Sequence, residues 1–122
     1  MMAQIIIVPV LDPRTLWLTV QLDIRGQPGP RMVLDIAAPF SSISESVRDS
    51  LVERGLLGAV RGRHYLLRDL TIQRQSVPDL RVGLSPRVTQ LGVDGLLGLN
   101  FFGLFTEIHC HVPSLRITLS RP

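Results

Sequence analysis

The chain contains no lysine: all thirteen of its basic residues are arginine. GC-rich coding accounts for that choice without any function. There is a single cysteine, Cys110, so no disulfide can form within the chain. That fits a reducing compartment. Aromatic residues make up only 5%. Long apolar runs are missing too. The longest at the N-terminal end, Ile5 to Val10, is too short to span a bilayer, and no basic residue precedes it as in a secretion signal. A soluble, cytoplasmic protein with no membrane partner is expected.

Net charge is only +3. Arg61, Arg63, Arg68, Arg74, Arg81 and Arg87 face only Asp69 and Asp79 in one stretch, a possible footprint for nucleic acid. They are interleaved with apolar residues at strand spacing, and Tyr65 is the one aromatic among them able to stack on bases. Solvated strand faces explain them better, so no nucleic-acid partner is expected.

What is present is 45% hydrophobic residues in 122, the size of one domain with a real core, residues 1–122. Nine prolines and ten glycines punctuate short apolar runs, the texture of an all-β fold. Strands are expected over Ile5–Val10 and over Thr15–Ile24, with Leu16, Leu18, Val20, Leu22 and Ile24 on one face. Gly26 to Pro30 reads as a hairpin connection, followed by strands over Arg31–Asp35 and Phe40–Ile43. Ser44 caps a helix carrying Val47, Leu51 and Val52, and Gly55 ends it. Further strands are expected over Tyr65–Gln73 and Val77–Leu84 around a turn near Gln75. A short helix over Leu99–Leu104 and a final hairpin around Pro113-Ser114 complete the pattern.

Two segments carry the strongest signal. Met32-Val33-Leu34-Asp35-Ile36-Ala37-Ala38-Pro39-Phe40-Ser41 delivers one carboxylate from an apolar strand into a small-residue turn. Val93-Asp94-Gly95-Leu96-Leu97-Gly98-Leu99-Asn100-Phe101-Phe102 places an apolar pair before glycine. Together they resemble the retropepsin-like aspartic peptidases, in which the first segment reads Asp-Thr-Gly-Ala-Ser after two apolar residues. The second reads apolar-apolar-Gly. His64 to Ile72, leading into Val77 to Leu80, is similar to the family's middle hairpin. The resemblance runs from about Leu16 to Leu119 and implies a closed acid-protease barrel with one or two short helices. The expected order of elements puts the two segments at equivalent places in two loosely similar halves.

The resemblance further implies a homodimer acting on a peptide or protein substrate. Two carboxylates ~3 Å apart cannot both ionise, so they share a proton and hold a water between them. A single Asp35 supplies half of that dyad; an identical subunit across a two-fold axis supplies the other. A flap within Gly58 to Leu66 would close over the substrate. The active-site turn is Ile36, Ala37 and Ala38, and the second family motif is Leu96, Leu97 and Gly98. Ile36 replaces a threonine whose hydroxyl bonds across the axis. Ala37 replaces a glycine that permits close backbone approach. Pro39 stands for a serine. These changes imply hydrolysis weakened or lost. A catalytically inactive dimerisation or peptide-binding module is the alternative, and a nucleic-acid-binding β domain comes third. On its own residues, Asp35 also reads as a turn aspartate accepting backbone N–H bonds.

No cofactor or metal is expected. His109 and His111 share one strand face and Cys110 the other, so they form no three-ligand set. Cys110, between Ile108 and Val112 on its face, reads as a buried small hydrophobe. Ser41, Ser42 and Ser44 read as turn and cap residues. Trp17 reads either as an interface residue or as a partly buried surface residue. The spacing of Gly92, Gly95 and Gly98 does not fit a phosphate-binding loop.

Overall fold

The computed structural model describes residues 3–57, 62 and 64–121. The N-terminal apolar run divides at Val8-Pro9 into β1 (Ala3–Ile7) and β2 (Val10–Leu11). Apolar alternation then builds β3 (Leu18–Ile24), which buries Val20, Leu22 and Ile24. β3 starts later than Thr15. Leu16 takes a left-handed backbone (φ 63°) in a turn and stands 70% exposed, off the strand face.

The hairpin into β4 (Gln27–Leu34) turns on Arg25 and Gly26 alone, both at positive φ, with Ile24 opposite Gln27. Such two-residue turns match the twist of the strands they join. Gly26 therefore turns the chain as expected, but Pro28, Gly29 and Pro30 belong to β4. A bulge between Gln21 and Asp23 accommodates the prolines, which cannot donate to a ladder.

After the Asp35 turn come β5 (Ser42–Ile43) and α1 (Glu45–Glu53). Ser44 caps α1 as expected: its Oγ accepts from the Val47 N–H at 3.2 Å. At the other end Gly55 adopts φ 70°. Leu56 N–H donates to Leu51 C=O and Gly55 N–H to Val52 C=O, the paired bonds of a left-handed helix stop.

The region expected as two strands is four: β6 (His64–Leu67), β7 (Leu70–Ile72), β8 (Gln75–Val77) and β9 (Leu80–Leu84). The turn lies at Gln73-Arg74, both at positive φ, and Gln75 is in a strand. A helix not foreseen, α2 (Pro86–Leu91), precedes β10 (Gly95–Leu97). α3 (Leu99–Phe102) matches the expected short helix. β11 (Glu107–His111) and β12 (Arg116–Arg121) form the expected final hairpin.

Strands β1, β12 and β11 form a small antiparallel sheet in that order. The large sheet runs β6-β9-β5-β10-β4-β3-β7-β8, with β2 on β3. It curls into a half-barrel. Its end strands β6 and β8 are not paired with each other among the described residues. The fold is thus mostly β with short helices, as expected, and among the described residues the strand pairing does not close on itself. Ile7, Leu22, Ile43, Leu67, Leu97, Phe101 and Leu119 sit in one continuous core beneath both sheets. Two glutamine amides tie the sheets together. Gln75 accepts from the N–H of Ile6 and donates to its C=O, and Gln73 does the same at Val8.

Candidate active site

Four strands position the Asp35 turn. β10 runs parallel to β4 and antiparallel to β5, and β5 runs parallel to β9. The order β9-β5-β10-β4 is unchanged when β9 is exchanged with β4 and β5 with β10. It follows that β4–turn–β5–α1 corresponds to β9–α2–β10–α3. The two sequence motifs are therefore not equivalent, contrary to expectation: the Asp35 turn corresponds to the α2 connection, and the Leu96-Leu97-Gly98 motif corresponds to the end of β5. What the two motifs do is meet.

Leu34 lies opposite Leu97, and the Asp35 N–H donates to Leu97 C=O at 2.9 Å. The Asp35 Oδ1 accepts from the N–H groups of Ala37 at 3.1 Å and Ala38 at 3.2 Å. Among the described residues Oδ2 accepts no hydrogen bond. The side chain is thus held by its own turn, with one oxygen left over. Asp35 and Ala38 are half-buried, and Ala37 and Pro39 are exposed. Ile36 is 58% exposed and Phe40 53%.

Behind the turn lies a polar brace. Ser41 is fully buried; its N–H and Oγ both donate to Asn100 Oδ1, at 2.8 and 2.7 Å. The same Oγ accepts from the Gly98 N–H at 2.9 Å. Asn100 Nδ2 donates to Arg81 C=O at 2.8 Å, and Leu99 N–H donates to Ala38 C=O at 2.8 Å. Gly98 has to be glycine for steric reasons. A Cβ there would stand 2.7 Å from the Ala38 oxygen and 2.8 Å from the Phe40 carbonyl. Leu97 is buried and Leu96 half-buried beside it. Ser41, read from sequence as a turn residue, is a strut. The hydroxyl and Asn100 were both visible in the two motifs, but nothing local said that they would meet.

A groove of about 500 Å³ opens over Asp35. Ala37, Ala38 and Pro39 line it from the turn, Trp17, Val33, Leu34 and Leu96 from the sheet side, and Arg87 and Leu91 from α2. Trp17 is 38% exposed there. Sequence reading missed Arg87 and Leu91 as site residues because it missed α2. The signal was present: Ser85-Pro86 opens a helix and Gly92, at φ 70°, closes it.

The proposed flap segment, Gly58 to Leu66, lies largely outside the described residues. His64, where it joins β6, packs its ring 6.0 Å from that of Phe40. Cys110 is exposed, contrary to expectation. β11 is the edge of a three-stranded sheet, and all five of its residues, His109 and His111 included, face solvent. Among the described residues no three His, Cys, Asp or Glu side chains gather as metal ligands would. Arg68, Arg74, Arg81 and Arg87 are all exposed; Arg61 and Arg63 lie outside the described residues. No helix among the described residues is long and apolar enough to cross a membrane.

No protein-family model and no curated protein matches the sequence. Among solved structures, a retropepsin-like aspartic protease from Rickettsia conorii is similar over 99% of this chain and 92% of that chain. The TM-score is 0.60 at 13% sequence identity. With the crossed strands β9-β5-β10-β4 and the turn they hold, that likeness identifies the fold of this chain as retropepsin-like.

Proposed function

We propose that this chain is a retropepsin-like aspartic peptidase-family domain acting as a homodimer, with peptide-bond hydrolysis held low by Ile36 and Ala37. The observation that carries the reading is the state of the Asp35 turn. Its carboxylate is fixed through one oxygen and, among the described residues, accepts no bond at the other, above a groove, beside an isoleucine with 58% of its surface exposed. A turn of this kind suits apposition to its own copy, which would bury Ile36 and Phe40 and complete the dyad. One Asp35 then takes the proton of a bound water while the other, protonated, polarises the substrate carbonyl. Ile36 offers apolar packing across the axis where a hydroxyl would brace both loops. The Ala37 methyl stands beside the carboxylates, and small misplacements there are costly in rate. The lone exposed Cys110 fits a reducing, cytoplasmic setting.

The second reading, a peptide-binding or dimerisation module without turnover, is favoured by the same Ile36. Both readings predict a dimer, and light scattering at micromolar concentration is expected to give twice the 13.6 kDa chain mass. A monomer throughout would overturn both. Cleavage of a peptide library across pH separates them. Expected are slow turnover by the wild type, none by Asp35→Asn, and at least a tenfold gain by Ile36→Thr with Ala37→Gly, about 1.4 kcal/mol of transition-state stabilisation. Absence of turnover in both the wild type and the reverted protein selects the binding module. Fast wild-type cleavage lost in Asp35→Asn would show an intact peptidase, and cleavage indifferent to Asp35 would exclude this site.

A further inference from the structure

Arg87 occupies the position in the second half that the Asp35 turn occupies in the first, and both line one groove. Its side chain is exposed, and among the described residues no carboxylate, Asp35 included, lies within ion-pair distance of it. The apolar surfaces of Trp17, Leu91 and Leu96 share the groove with it. The two walls are also joined. Arg14 Nη2 donates to Gly92 C=O at 2.8 Å, tying the turn that carries Trp17 to the end of α2. The groove is therefore built before any ligand arrives.

We infer that Arg87 is a specificity-determining residue that selects peptides bearing a glutamate or aspartate side chain next to apolar ones; this rests on the reading above that the groove takes peptide. A guanidinium without a partner offers a planar fork that matches a carboxylate with two parallel N–H···O bonds. A neutral amide of the same shape can meet only part of that fork. The flanking apolar surface suits leucine or phenylalanine side chains beside the acidic one. Exposure limits the gain, because water and salt screen a pair at the surface.

Trp17 is the only tryptophan in the chain, so its emission reports on this groove directly. The probes are two blocked hexapeptides of leucine and phenylalanine, one with a central glutamate and the other with glutamine there. Each is titrated into the full chain at low and at high salt. Expected is roughly two- to fivefold tighter binding of the glutamate peptide at low salt, narrowing as salt rises. The preference is expected to vanish in Arg87→Gln and to survive in part in Arg87→Lys. Equal binding of both peptides to the wild type would overturn the inference while leaving the peptide groove standing. So would a preference that persists in Arg87→Gln. Binding of neither peptide, checked by backbone amide shifts as well as emission, would overturn the inference and the peptide reading together. Circular dichroism of Arg87→Gln separates loss of preference from loss of fold, and an exposed arginine without an ion-pair partner is expected to leave the melting curve unchanged.

Discussion

The two halves of the crossed sheet share a plan and differ in what they present. In the first, β4 passes through a tight turn into β5 and α1, and the turn offers a carboxylate. In the second, β9 passes through α2 into β10 and α3, and the corresponding connection offers a guanidinium. The half that corresponds to the Asp35 turn presents Arg87 where the first presents a carboxylate, so under the peptidase reading proposed above a second aspartate would come from a second copy. The contrast also explains how a solvent-open turn stays ordered: the other half holds it from behind through Gly98 and Asn100.

The sharpest way to break the comparison is to push the halves apart. Gly98→Ala would force a methyl group into backbone atoms of Ala38 and Phe40, which cannot yield as a flexible side chain would. Destabilisation of about 3 kcal/mol is expected, at the upper end for overpacking. In a domain of this size that lowers the melting midpoint by roughly 10 °C. Gly26→Ala is the useful contrast. There a Cβ meets nothing within 4 Å, but the backbone is left-handed at φ 75°. Its cost is expected at about 1–2 kcal/mol, from conformation alone. If Gly98→Ala melted no lower than Gly26→Ala, close contact between the halves would not be what fixes the turn.

A smaller effect is expected where the halves are joined by polarity rather than shape. Asn100→Leu would remove the acceptor for both the N–H and the Oγ of Ser41, which is fully buried. An unsatisfied buried donor costs about 1–3 kcal/mol, and about 2 kcal/mol is expected in urea unfolding. Asn100→Asp keeps the acceptor for Ser41 but sets a carboxylate oxygen against Arg81 C=O, two acceptors face to face, so about 1–3 kcal/mol is expected at neutral pH, relieved in acid where the protonated oxygen can donate to Arg81. A loss in Asn100→Asp that stays the same relative to the wild type in acid would mean that the contact with Arg81 is not what the variant disturbs.

The same contrast between local and distant bonding decides what could be read from sequence. Ser44 and Gly55 delimit α1 through bonds within a few residues, so their types alone announce the helix. Gln73 and Arg74 turn a hairpin at positive φ without glycine, asparagine or aspartate, and the turn was misplaced. Gln73 is there because its amide grips Val8, far away in sequence. Cys110 read as buried because alternation along β11 looks like that of a core strand; only the sheet order shows that β11 is an edge. Asp35 stood out through the company it keeps in a family pattern. Its hydrogen bonds to Ala37 and Ala38 agree equally with the plain turn reading of its own sequence. In the sequence Arg87 is one more arginine among apolar residues, because its place at the groove depends on α2.

The gentlest test touches the turn that carries Trp17 to that groove. Asp12 Oδ1 accepts from the Arg14 N–H at 2.8 Å, and Asp12 main-chain groups bond to Leu16 and Trp17. The Arg14 N–H is the chief reason that the Asp12 carboxyl titrates below the ordinary aspartate value; partial desolvation opposes it, and bonds from Thr15 add to the lowering. A depressed carboxylate contributes stability that is fully present above its unfolded value, about 3.9, and is lost as pH falls through the lower folded value. Protonation would weaken the bond that shapes the turn. Carbon-detected NMR is expected to give Asp12 a midpoint below that of an unstructured aspartate. Trp17 emission is expected to shift with the same midpoint while β3 and β4 amides stay in place. An Asp12 midpoint at or above the ordinary value would remove the bond to Arg14 as the organiser of the turn. A low midpoint without any change in Trp17 would show that the Arg14–Gly92 tie, held by the second half, fixes the groove wall instead.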